Sequence, residues 1–457
     1  MVDTDAPERS RRATVYACVV SVAGWSFDLF DLFILLYVAG PVGQVIFPAD
    51  RPTLSLAAVY ASFAVSVVLR PAGAAIFGGI ADRHGRKKNM ALVLSGLGLV
   101  TAAMGAVPGY LAIGVLAPAL FLLLRLVQGL FVGGMVAATH TLGTESVAPR
   151  WRGLTSGLIS GGGACVGGVA ASGLYLLVAH LFPGEAFTTW GWRVMFFAGL
   201  VASLLSYAVL RGAHESPVWS ARSRDEVARA RLSDLVSAGH GRGFVLDVVL
   251  VAGAGAQYYL TAGYLPTLLD QVLGVARTAQ GVILLVANVV VLFAAIVAGQ
   301  LSQLLGRRRT MLLFGVANLV LLPLLVSILS RTDPGHLGPV ILYASALVFF
   351  ANAAIAPVIA HLNERYPTVL RARATSVCWN TGFMVGGLMP TFLSLASPTL
   401  ADVPGRLSGF LLAVVVVFVA ANLIGRRDAR IPETATLHEL SPGPGREPAP
   451  GRGRRET

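Results

Sequence analysis

Residues 78–90 read GGIADRHGRKKNM and residues 299–311 read GQLSQLLGRRRTM, with two glycines and a basic run in the same register 221 residues apart. Further along, Glu145 precedes Arg152 by seven residues and Glu364 precedes Arg371 by seven, an echo at an offset of 219. Two matching signals at nearly one offset predict a duplicated unit. The apolar sequence on either side says what that unit is made of.

Of 457 residues, 55% are hydrophobic and 13% charged, and the mean hydropathy is +0.72. Soluble chains carry about a quarter charged residues, so this balance predicts an all-α polytopic membrane protein. A span takes about 20 apolar residues, and runs of that length fall near 14–40, 55–81, 90–108, 113–146, 153–181, 193–211, 243–266, 278–303, 309–330, 337–362, 372–397 and 404–425. The expected organisation is an N-tail over 1–13, a six-helix bundle over 14–211, a charged central loop over 212–242, a second bundle over 243–425 and a Pro-, Gly- and Arg-rich disordered tail over 426–457. The first apolar run follows positive charges, as in a signal peptide. It is too long and lacks a small-residue cleavage site, so it is expected to stay as the first helix.

The net charge of +12 is arranged for a membrane and not for nucleic acid, because aromatic-interleaved basic patches are absent. With the N-terminus inside, 28 of the 35 Lys and Arg residues fall on the inner side and 5 in outer loops. That bias predicts a cell-membrane protein with both termini cytoplasmic. Cys18, Cys165 and Cys378 all sit in apolar runs without paired spacing, as buried small residues do.

On these residues the chain resembles the major facilitator superfamily. Gly78, Asp82, Arg83, Gly85, Arg86 and Lys87 match its loop 2–3 signature, and RLVQG (125–129), TESVAPRWRG (144–153) and WGWRVMFFAG (190–199) match later segments. RPAGAAIFGGIADRHGRKK (70–88), ESPVW (215–219), YLPTLL (264–269) and ERYPTVLRARATSVCWNTG (364–382) are similar to the metabolite–proton symporters. GWSFDLFDLF (24–33) is similar to the sialate and lactate–proton symporters. The resemblance implies twelve helices as two pseudo-symmetric bundles, with the site at the midplane between halves. It also implies an inner gate built on Gly78, Asp82, Arg83, Gly85, Arg86, Glu145 and Arg152, with Glu364 and Arg371 as second-half counterparts. Three positions depart from the pattern: Met135 where a glutamate follows Gly133-Gly134, Gln303 where the second loop signature has an acid, and Met195 where proline is common.

Intramembrane charges are costly and mark function by default. Asp28 and Asp31 are three residues apart and share one helix face. Arg125, on the fourth helix, falls at a depth similar to Asp31, which makes an ion pair feasible. The three form the expected proton-coupling group, and the sequence leaves open which aspartate carries the proton. Arg70, before Pro71, is either an anion contact or a snorkelling side chain. Gln128, Gln257, Tyr264 and Asn380 are the further cavity candidates, with Tyr258, Asn288 and Asn352 behind them. Gln257 and Tyr264 rank high because seven residues on one helix share a face.

The expected function is proton-coupled symport of a small carboxylate-bearing or zwitterionic metabolite. The alternative is a proton-antiport exporter of a drug or natural product. GLISGGGACVGGVAASG (157–173) lacks the Gly-Pro signature of such exporters. No metal-ligand cluster, phosphate loop or nucleophile arrangement appears, so the chain is not expected to be an enzyme or to need a cofactor beyond the proton gradient. Its expected partners are a small substrate, H+ and lipid, and its expected state is a monomer.

Overall fold

The computed structural model describes residues 6–84, 86–145, 147, 155, 158–211, 241–366 and 368–425. Among them there is no strand. In hydrocarbon no water is available to pair backbone groups, so a spanning segment has to satisfy its own by forming helix.

The first half holds α1 (Ala6–Tyr37), α2 (Pro52–Val68 and Arg70–His84), α3 (Arg86–Ala106), α4 (Leu116–Glu145), α5 (Leu158–Gly162 and Gly163–Leu181) and α6 (Phe187–Arg211). The second holds α7 (Gly241–Val272), α8 (Arg277–Leu305), α9 (Arg307–Arg331), α10 (Leu337–Arg365), α11 (Thr368–Gly387 and Met389–Ala396) and α12 (Val403–Ile424). Eleven are long and apolar enough to span a membrane. The twelfth pass, α11, is diluted chiefly by Arg371 and Arg373, and then by Asn380, in its first segment. The first helix reaches back to Ala6, into the expected N-tail, and a short helix, Ala39–Ile46, continues it past Val38. The central loop 212–240 and the tail 426–457 lie outside the described residues.

Within each half, α1 packs on α4 and α5, α2 on α4, and α3 on α6, while α7 packs on α11 and α12, and α9 on α10 and α12. Between halves, α5 meets α8 and α2 meets α11. In a repeat of six, α8 is the counterpart of α2 and α11 of α5, so the interface obeys the two-fold relation that the sequence echo predicts. Leu99, Leu205, Val320 and Leu342 are exposed on the bundle, as apolar residues of membrane-spanning helices are.

Helices are interrupted where the halves face each other, α2 and α7 among them. Pro71 has no N–H to give to the helix ladder, and α2 breaks at Leu69, just before Arg70. The seventh pass changes to π-helical turns at Tyr259–Gly263 and Leu268–Val272, on either side of Pro266. Such turns are frequent at functional sites.

The end of the bundle away from the termini is closed. Tyr60 on α2 stacks on Tyr264 of α7 with centroids 5.3 Å apart, and its hydroxyl pairs with that of Thr267 at 2.7 Å. Tyr175 donates to Gln280 Oε1 at 2.9 Å, and Arg277 donates to the Gly184 carbonyl at 2.9 Å. Asn288 Nδ2 on α8 donates to Tyr37 Oη at 2.8 Å and to Ser172 Oγ at 3.1 Å. Room for this side chain exists only because residue 168 is glycine, since a Cβ there would lie 2.1 Å from Asn288 Oδ1. Asn288→Ala removes two cross-half hydrogen bonds of about 1 kcal/mol each. The expected result is a shift of order 10-fold toward the open form at that end. Spin labels on Ala186 and Gly274 should report it as a longer distance population. An unchanged distribution would place the lock elsewhere.

Candidate functional site

Asp28 and Asp31 on α1, and Arg125 and Gln128 on α4, are each 4% exposed or less. Helix periodicity brings each pair to one face. Asp31 accepts hydrogen bonds from two helices: Thr101 Oγ1 on α3 donates to its Oδ1 at 2.5 Å, and Gln128 Nε2 donates to Oδ1 at 3.0 Å and Oδ2 at 2.8 Å. The other end of the same amide, Gln128 Oε1, accepts from Arg125 Nη1 at 2.5 Å. The expected direct ion pair between Asp31 and Arg125 is therefore not formed. Gln128 sits between the charges and joins them through its donor and acceptor ends. Arg125 also lies over the Phe121 ring at 5.6 Å, while its Nε and Nη2 have no hydrogen-bond partner.

Asp28 differs from its neighbour. Its Oδ1 is buried and has no hydrogen-bond partner. The cation whose field acts on it is Arg70 of α2, where Asp31 feels Arg125 first. Arg70 is half-buried, with its Nε buried and without a hydrogen-bond partner. The strongest arginine field on each carboxylate thus comes from a different helix, α2 for Asp28 and α4 for Asp31.

The remaining candidates separate. Gln257 is fully buried, donates to the Gly253 carbonyl at 3.2 Å and accepts from Asn318 of α9 at 3.3 Å. It stitches the second bundle together. Tyr264 faces Tyr60 across the halves, and its hydroxyl pairs with Ser394 at 3.4 Å. The pair does not share a face, as seven-residue spacing predicts, because the π-helical turn at 259–263 lies between them and shifts the register. Asn380 is buried on α11. Cys165 and Cys378 are buried and Cys18 is half-buried, all as free thiols.

Of the gate residues, Gly78 lies on α2, whereas Gly85 and Arg152, with the side chains of Asp82, Arg83, Arg86, Glu145 and Arg371, lie outside those described. Glu364 is described, and it pairs with Arg307 at 3.1 Å. In the repeat, Arg307 corresponds to Arg86 and Glu364 to Glu145. Beside it, buried Asp247 of α7 pairs with Arg365 Nε at 3.1 Å and accepts from Tyr366 Oη at 2.6 Å, tying the start of α7 to the end of α10.

Thr101 escaped the sequence reading, since a single hydroxyl in an apolar run also fits a threonine bonded to its own helix. So did the ring cluster around Tyr258 and Tyr259, which depends on contacts between α1, α7 and α11.

Comparison with known proteins accords with this architecture. The sequence profile of the family described as "Sugar (and other) transporter" matches residues 48–243 and 240–424. The chain is 30% identical to the inner membrane metabolite transport protein YhjE of Escherichia coli (strain K12), over 82% of this chain and 86% of that one. It is 28% identical to the glycine betaine/proline/ectoine/pipecolic acid transporter OusA of Dickeya dadantii (strain 3937), over 84% and 77%. Its fold matches the crystal structure of a D-xylose-proton symporter with a TM-score of 0.72 at 16% identity, covering 92% of this chain and 98% of that one. The protein is therefore a polytopic membrane transporter and not an enzyme: it belongs to the sugar (and other) transporter family of the major facilitator superfamily.

Proposed function

We propose that the protein carries out proton-coupled symport of a small carboxylate-bearing or zwitterionic metabolite by alternating access. The observation that carries this reading is the bridge from Asp31 through Gln128 to Arg125. Coupling requires a proton to change contacts between helices. A proton on Asp31 removes an acceptor from Thr101 and Gln128 and loosens α1 from α3 and α4. A proton on Asp28, which accepts no hydrogen bond at Oδ1, releases no such contact. Asp31 is thus the favoured carrier, with Arg125 as its counter-charge and Asp28 left for another task. YhjE is named a metabolite transporter and OusA a glycine betaine/proline/ectoine/pipecolic acid transporter, which supports a small polar solute.

With the termini in the cytoplasm, the closed end of the bundle is the outer one and the state is inward-facing. Gly78, Asp82, Arg83, Gly85, Arg86, Glu145 and Arg152 then act with Arg307, Glu364 and Arg371 as the inner gate. The proton gradient is the energy source, and no other cofactor is needed by a carrier that makes and breaks no covalent bond. Proteoliposomes with an acid exterior, given a panel of carboxylates, amino acids and betaines, test the reading. At least one member should accumulate only while the pH gradient lasts. Uptake that ignores the gradient, or gradient-driven efflux alone, would overturn it.

A further inference from the structure

Asp28 is buried on α1 and lies in the field of half-buried Arg70 of α2. They nevertheless make no direct ion pair, and Asp28 Oδ1 and Arg70 Nε each have no hydrogen-bond partner. Leaving a buried polar group unpaired costs about 1–3 kcal/mol, and more when it is charged. A fold that needed only structural neutrality would close such a pair. Here the charges come from two helices of the first half, α1 and α2.

The wall beside them is aromatic and comes mostly from the second half. Tyr258 and Tyr259 of α7 have centroids 5.4 Å apart, and Phe383 of α11 lies 6.2 Å from the first and 5.9 Å from the second. Trp379 stacks on Phe383 at 4.3 Å, and Phe33 of α1 reaches Tyr258 at 6.5 Å. Tyr259 also packs on Phe63 of α2 at 5.2 Å, seven residues before Arg70 in the same pass. Tyr259 Oη is a further buried polar atom without a hydrogen-bond partner.

We propose that Asp28, Arg70 and the Tyr258–Tyr259–Phe383 wall form a subsite for a zwitterion, with the carboxylate on Arg70 and an alkylated ammonium on Asp28 and the rings. The assignment rests on the symport reading and narrows its substrate class. An arginine fork matches a carboxylate, and ring faces with an adjacent carboxylate hold a desolvated alkylammonium. The same pair selects against other solutes. A monoanion leaves Asp28 facing like charge, and a monocation leaves Arg70 so, a form of discrimination that needs no extra contact. Because the charges belong to one half and most of the rings to the other, a bound zwitterion touches both halves, as alternating access requires.

Equilibrium binding to the purified transporter, without any gradient, tests the assignment with shape-matched probes. Glycine betaine is compared with 3,3-dimethylbutanoate, its uncharged-head carboxylate, and with choline, which lacks the carboxylate. L-Proline is compared in the same way with cyclopentanecarboxylate and pyrrolidine. At least one zwitterion should bind ~10-fold or more tighter than both of its partners, the worth of a single charge-assisted contact. Asp28→Asn should erase the preference over the carboxylate alone, and Arg70→Gln the preference over the cation alone. Asp28→Glu, which restores the charge, should recover part of the first preference, and this separates recognition from misfolding. Equal or tighter binding of the carboxylates, or no binding of either zwitterion, would overturn the proposal. In that event gradient-driven uptake of any anion in the liposome panel would leave the symport reading standing.

Discussion

Asp31→Asn is expected to abolish uphill transport while leaving substrate exchange intact. A pH gradient of two units supplies about 2.7 kcal/mol per proton, enough for ~100-fold accumulation at one proton per substrate. The wild-type protein should approach that ratio in proteoliposomes, and the variant should stop at equal concentrations inside and out. Asparagine keeps the size of the side chain and its Oδ1 acceptor for the Thr101 hydroxyl and the Gln128 amide, and like a protonated aspartate it no longer accepts from Gln128 at the second position. It loses the titrating oxygen and the charge that balances Arg125. Counterflow, which needs substrate movement but no net proton movement, should therefore survive. Asp28→Asn should show the converse: weakened binding of zwitterions, with whatever still binds accumulated against its gradient. If Asp31→Asn concentrates substrate and Asp28→Asn does not, the two roles are exchanged.

Much of this was legible before any coordinates. Repeat offsets and apolar run lengths are one-dimensional quantities, and they specify an all-α chain of two related halves, in which eleven described helices are long and apolar enough to span a membrane. Asp28, Asp31 and Arg125 stand out for the same reason, since a charge in a span is visible in any window. Gln128 was visible as a polar residue, but its place between Asp31 and Arg125 was not. An amide three residues from an arginine is on the same face, yet nothing in the string says that it reaches α1 first. The π-helical turns of α7 were invisible too, because the helical pattern that ranks Gln257 with Tyr264 presumes an unbroken register. What a sequence hides here is where two helices approach most closely and which side chains the approach brings together.

One such approach carries a second large effect. Along α2 and α4 the backbones touch at glycines: a Cβ at Gly129 would lie 2.0 Å from the Ser66 carbonyl oxygen, one at Gly133 2.0 Å from that of Arg70, and one at Gly73 2.0 Å from that of Leu130. Lipid tails are as apolar as the side chains they compete with, so close packing of this kind does much of the work of holding membrane helices together. Gly129→Ala pushes a methyl into main chain, which has no rotamer with which to yield. The helices have to separate, at a cost of about 1–3 kcal/mol or more for overpacking. Gly409 on α12 is the opposite case, with nothing within 4 Å of an added Cβ. There alanine should stabilise, by up to ~1 kcal/mol from helix propensity. Thermal unfolding of the two purified variants in the same detergent should move in opposite directions from the wild type. The Gly129→Ala shift should also spread to the site, because the seam sets how near Arg70 stands to α4. A Gly129→Ala protein that melts at or above the wild-type temperature would show that this seam is not what fixes the distance between α2 and α4.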